Sequence, residues 1–269
     1  MLDPIDMENL PPRIIGDDSP LACLPRKIHP EQQRFFEGIR FSIDIADMAY
    51  RRLLRSLVYL GQAADRDGSG RLLEADKYVA ALTDAWTFVD ASWRLRRLVF
   101  DRFPPMPLGE NVRYPEKPDP AAIGVEVSEF EAAAKPIRSL RDRWQHIDDD
   151  VFRARQEDHI WGQISWLGLR PTGEVDGFLF LSGVVDPKRA ESYEIPTPFG
   201  RPMHQIIDHV ALSAFEITVD LSVLHRVIAK LAKNFEDVLR PQMQGLDIAE
   251  ANCLFRSAIR IEQRKSVEK

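Results

Sequence analysis

The chain has 269 residues, 44% of them hydrophobic, enough apolar material to bury a substantial core in one large domain or in a domain with an insertion. A formal net charge of -6 excludes a wholesale polyanion binder, so contact with nucleic acid would depend on a local basic patch. Two cysteines, Cys23 and Cys253, are too few and too far apart for a zinc site or a secreted disulfide scaffold.

The opening MLDPIDMENLPPRIIGDD lacks the basic and apolar regions of a signal peptide, and no segment approaches the roughly 20 apolar residues of a membrane span. The expectation is a cytoplasmic protein without membrane contact. Residues 1–29 are rich in Pro and Asp and show no sustained period, which predicts an extended arm lying on the surface or on a protein partner.

From Pro30 the pattern becomes helical. Phe35, Phe36, Ile39, Ile43, Ala46, Ala49, Leu53, Leu57 and Leu60 recur three and four apart, with Pro30 suited to a first turn and Gly61 near the expected stop. After DRDGSG, a second helix carries Leu82, Trp86, Val89, Trp93 and Leu98 or Val99 on one face and is closed by FPPMP. The Pro-rich interval from Pro104 to Val125 reads as irregular. A third helix is predicted from Ser128 to Arg155, with Phe130, Ala133, Ile137, Leu140, Trp144, Ile147 and Val151 as its apolar stripe and a kink or restart at Pro136.

The period then changes to two. HIWGQISWLGL, a turn at PTGE and VDGFLFLSGVV predict an antiparallel hairpin, and DHVALSAFEITVDLS predicts a third strand. Ser222 is placed to cap a fourth helix ended by Pro241, and Asp247 with Glu250 has capping-box spacing for a short last one. The expected fold is mainly α: four main helices in a bundle over 30–240, a small antiparallel sheet inserted at about 160–219, and a C-terminal helix and tail over 241–269.

Phosphate-binding glycine loops, zinc helices of HExxH type and GxSxG elbows are absent, so no cofactor or metal is expected. DRDGSGRLLEAD places Asp65, Asp67, Ser69, Gly70 and Asp76 at calcium-loop positions, but Leu73 occupies a position that needs a polar ligand and Asp76 is shorter than the usual Glu. It reads as a turn between helices. MHQIIDH contains His204, Asp208 and His209 without a convincing further ligand, and these read as polar residues entering a strand. Asp90 and Arg94 form an i, i+4 pair, with Arg94 and Arg97 as an alternative anion-binding face.

The stretch RSLRDRWQHIDDDV, Arg138 to Val151, concentrates the remaining chemistry. At about 100° per residue, His146 lies roughly 130° from the centre of the apolar stripe, so it does not belong to the bundle core. Asp142 and Asp150 are each four residues from it and could orient the imidazole. On residue chemistry alone, a helix-surface salt network is the favoured reading and a functional pair is the alternative.

Arg141, Asp142 and His146, near the end of the third helix of an expected bundle, resemble the Arg-x4-6-His motif of the HEPN (higher eukaryotes and prokaryotes nucleotide-binding) superfamily. The resemblance covers the helical part, and the sheet resembles an embellishment of it. It implies a metal-independent endoribonuclease, in a toxin or defence role, with Arg141 and His146 as the active pair, a polar Asp142 after the arginine, RNA as substrate and a homodimer that brings two motifs together. The alternative is a non-catalytic dimerising interaction protein that uses the same helix as a recognition surface. In an ideal helix Arg141 and His146 point about 140° apart, so joint action requires a frayed end, a kink or residues from two subunits.

Overall fold

The structure, a computed structural model, describes residues 11–67, 75–102, 108, 124–152, 160–170, 172–183 and 202–248. Among them the fold is mainly helical with one small antiparallel sheet. The helices are α1 (Pro30–Asp67), α2 (Ala75–Asp101), α3 (Ser128–Gln145), the single turn α4 (Ile147–Asp150) and α5 (Leu221–Gln242). The strands are β1 (Gln163–Leu169), β2 (Val175–Leu181), β3 (Ile207–Ala214) and β4 (Ile217–Asp220), in the order β2-β1-β3-β4. The described helices thus number five rather than four. No described helix is long and apolar enough to cross a membrane.

All nine positions of the predicted α1 stripe are buried, because a three-and-four spacing holds them on one face over the whole length. The helix passes through Gly61 instead of stopping there. A Cβ at that position would stand 3.5 Å from the Phe178 ring of β2, an ordinary van der Waals contact. In α2 the buried face is Ala81, Ala85, Phe88, Ser92, Leu95 and Val99, with Val89 beside it. The large residues predicted to define that face, Leu82, Trp86, Trp93 and Leu98, are only partly buried at its margins. The buried face mixes Ala81, Ala85 and Ser92 with Phe88, Leu95 and Val99, and the tryptophans fall at its edges, a rotation of the face that hydrophobicity alone does not reveal.

α3 continues through Pro136 without a restart and ends at Gln145, ten residues before the predicted Arg155. His146 interrupts the helix with φ -110° and ψ 28°, and α4 adds one turn. Phe130, Ile137 and Leu140 enter the core, while Trp144 and Ile147 are partly buried.

The hairpin β1–β2 pairs Gln163 with Leu181 through Leu169 with Val175, as its alternation predicts. The predicted third strand is two strands, folded at Phe215 and Glu216, both with positive φ (53° and 62°). Such a tight turn normally advertises itself through Asn or Gly, and its absence there concealed the reversal. Asp220 ends β4 and caps α5, accepting from the Val223 N–H at 2.8 Å. Ser222, the predicted cap, is buried inside the first turn instead.

The sheet is not a separate appendage. Ile164, Val210, Leu212 and Val219 share one core with α1, α2, α3 and α5, and β3 is buried on both faces. Ile15, Leu21, Leu24 and Ile28, within the stretch read as an arm, join the same core. Of the Asp65–Asp76 turn, Asp65 and Asp67 belong to α1 and Asp76 to α2, whereas residues 68–74, like the predicted last helix after Ile248, lie outside the described residues.

Candidate functional site

Helix α3 carries Arg141 toward α2. Its Nε donates to Asp90 Oδ1 at 3.0 Å and its Nη1 to Gln145 Oε1 at 2.9 Å. Asp90 also pairs with Arg94, one turn farther along α2, so two guanidiniums share one carboxylate. The sequence singled out the Asp90–Arg94 pair but could not supply the bridge from α3.

Asp142 is exposed and faces Arg138 at 3.8 Å rather than His146. His146 is exposed at the end of α3, its N–H donating to the Arg143 carbonyl at 3.1 Å and its carbonyl accepting from the Asp149 N–H at 3.1 Å. The Asp150 side chain lies outside the described residues. Arg141, Asp142 and His146 are therefore close in sequence, while their described side-chain contacts run to Asp90, Gln145 and Arg138. The regular helix ends at Gln145, and His146 itself departs from helical dihedrals with φ -110° and ψ 28°.

Beside this turn lies a groove of about 530 Å³ over the outer face of α2. Trp86 and Trp144 stack with ring centres 4.2 Å apart, and Trp161 meets Trp144 edge-on at 6.2 Å. The Trp86 Nε1–H donates to the Trp161 carbonyl at 3.3 Å, which joins α2 to the lead-in of β1. Asp90 and Arg94 line the same groove. Trp86 and Trp144, predicted as core residues, thus form a wall instead, and in α2 the face with Ala81, Ala85, Phe88 and Leu95 occupies the core.

A second polar cluster is sealed inside the fold. His225 Nε2 and Asp47 Oδ1 are 2.9 Å apart, the His225 ring stacks on Tyr50 at 4.2 Å, and the Tyr50 hydroxyl shares a 2.9 Å hydrogen bond with Ser222 Oγ. Ser222 Oγ also accepts from the Val210 N–H at 2.9 Å, within a bulge of β3 where His209 and Val210 face the single residue Trp166. Burial pushes the Tyr50 phenol well above its usual pKa, so it remains protonated. Periodicity could not find this cluster, since its members come from α1, β3 and α5. Its burial and internal satisfaction make it a structural tie between those elements.

Within MHQIIDH, the Asp208 side chain makes contacts that tie the fold. Asp208 is fully buried and accepts from the backbone N–H groups of His204 and His209 and from Arg226 Nη1. His204 is exposed, whereas His209 is buried with φ 53°. No metal-binding group of three or more such side chains occurs among the described residues. No family model, curated protein or solved structure matches the chain.

Proposed function

We propose that this protein is a metal-independent endoribonuclease of HEPN type, acting through Arg141 and His146 at the open end of α3. The observation that carries this reading is the helix break at His146: it presents the imidazole to solvent one turn beyond an arginine already anchored to α2. In the reaction the ribose 2′-oxygen forms a bond to phosphorus while the bond to the 5′-oxygen breaks. One imidazole takes the 2′-hydroxyl proton and a second, from a partner copy, protonates the leaving oxygen. Guanidinium N–H groups not engaged by Asp90 stabilise charge on the phosphoryl oxygens. Asp142, paired with Arg138, keeps the local field from becoming strongly cationic. Exposed Asp148 and Asp149 make substrate affinity depend on contacts elsewhere.

The test is cleavage of varied RNAs by purified protein in chelator, with product ends analysed. Chelator-resistant cleavage to 2′,3′-cyclic phosphate ends, lost in both Arg141→Ala and His146→Ala, supports the reading. An inert wild type over a broad RNA panel rejects it.

A specific observation favours a non-catalytic, dimerising reading, although on α1 and α2 rather than on the α3 surface expected from the sequence. Phe41 and Met48 are each 51% exposed at helical spacing on α1, with Ile45 between them, and Val79 of α2 is 50% exposed. Such an apolar surface fits a second copy of the chain. Met48→Glu should convert a dimer to a monomer in sedimentation analysis, and a dimer that cleaves no RNA would select this alternative.

A further inference from the structure

We infer that the tryptophan groove is a nucleotide subsite: it stacks an unpaired base and places that nucleotide's phosphate on the Arg94–Asp90–Arg141 cluster. This rests on the RNA-directed reading for its substrate class, and it concerns binding rather than cleavage. Three tryptophans meet here, contributed by α2, α3 and the entry to β1. Trp86 and Trp144 already cover one face of each other, whereas Trp161 is 47% exposed and offers the largest free ring surface. A planar heteroaromatic ring gains most from such a wall, because every base has a face that stacks on indole.

Charge selects a nucleotide over an uncharged aromatic group. Two arginines against one carboxylate leave the cluster with one excess positive charge in a protein of net charge -6. Arg94 is 63% exposed along its side chain and has guanidinium donors beyond the one directed at Asp90. Arg141 uses Nε and Nη1 internally and retains its other donors. Asp90 therefore fixes both guanidiniums in advance, which lowers the ordering cost of receiving a phosphate. Trp144 and Arg141 are neighbouring turns of α3, and His146 follows them, so a base in the groove would bring the adjoining backbone toward that helix end.

The experiment follows intrinsic tryptophan fluorescence of the full chain during titration with a 2′-O-methyl hexaadenylate, which cannot undergo attack by its own 2′-oxygen. Saturable quenching is expected, weakened about tenfold or more by Trp161→Ala and restored to within a few-fold by Trp161→Phe. Arg94→Ala should weaken binding and flatten its salt dependence. The inference fails if quenching never saturates, or if properly folded Trp161→Ala binds as tightly as the wild type. Binding of the hexamer without cleavage of ordinary RNA would reject the nuclease reading and keep the subsite. Cleavage with KM unchanged in Trp161→Ala would do the reverse.

Discussion

The Arg141 guanidinium of α3 reaches the Asp90 carboxylate of α2 at 3.0 Å, and the same carboxylate holds Arg94. This contact ties the motif-bearing helix to the wall of the tryptophan groove. Its stabilising effect is modest, since the Arg141 and Asp90 side chains keep 25% and 36% of their surface exposed and water screens the pair. Arg141→Ala and Asp90→Ala should each cost about 0.5 kcal/mol in denaturant unfolding. The double variant should cost less than the sum of the two, because each single change already breaks the pair. Full additivity would show that the pair does not couple the helices.

The buried Tyr50–Ser222 hydrogen bond should respond asymmetrically to mutation. Tyr50→Phe leaves Ser222 Oγ bonded to the Val210 N–H and should cost about 1 kcal/mol. Ser222→Ala orphans both the buried Val210 N–H and one bond of the Tyr50 hydroxyl, and should cost about 2–3 kcal/mol. Equal costs by chemical denaturation would contradict this assignment.

Asp208 gives the fold an acid-sensitive contribution. Burial alone would raise its pKa, but hydrogen bonds from the His204 and His209 backbones, together with Arg226, outweigh that and lower it below its ordinary value of 3.8. The folded state therefore binds fewer protons than the unfolded state in that window. Stability from Asp208 is fully present above pH of about 4 and is lost as pH falls through the lowered folded-state value. Asp208→Asn should be less stable at pH 7 by about 2–3 kcal/mol and should show a shallower loss of stability below pH of about 4. Parallel acid limbs for variant and wild type in urea melts would exclude this role.

Gly162 should be intolerant of a side chain. Its φ is 101°, and an added Cβ would stand 3.2 Å from Leu212 Cδ1 and 3.5 Å from Trp86 Nε1. Gly162→Ala should therefore lower stability by more than about 1 kcal/mol and alter the fluorescence of the groove, since strain falls on the loop joining Trp161 to β1. An unchanged melting temperature and spectrum would show that the loop yields freely.

The long α1 stripe was fully legible because nine apolar residues at helical spacing leave only one face to bury. The β1–β2 hairpin was legible for the corresponding reason, alternation on both sides of a turn signal. The Phe215–Glu216 reversal was not, since neither residue ordinarily favours positive φ and it is the pairing of β3 with β4, from Ala214 and Ile217 onward, that closes the turn. The same applies to the end of α3, where no Gly or Pro marks the break at His146.

For the candidate site, the sequence by itself determined which residues of α3 stand off its apolar stripe, because helical periodicity assigns angular positions within one element. Only the tertiary structure decided what those residues meet. The Asp90 partner of Arg141 lies on another helix, and the three tryptophans converge from separate elements. The face of α2 with Ala81, Ala85, Phe88, Ser92 and Leu95, rather than the one with Trp86 and Trp93, turns inward, because close approach of two helices is set by shape across the interface and not by the hydrophobicity of either helix alone.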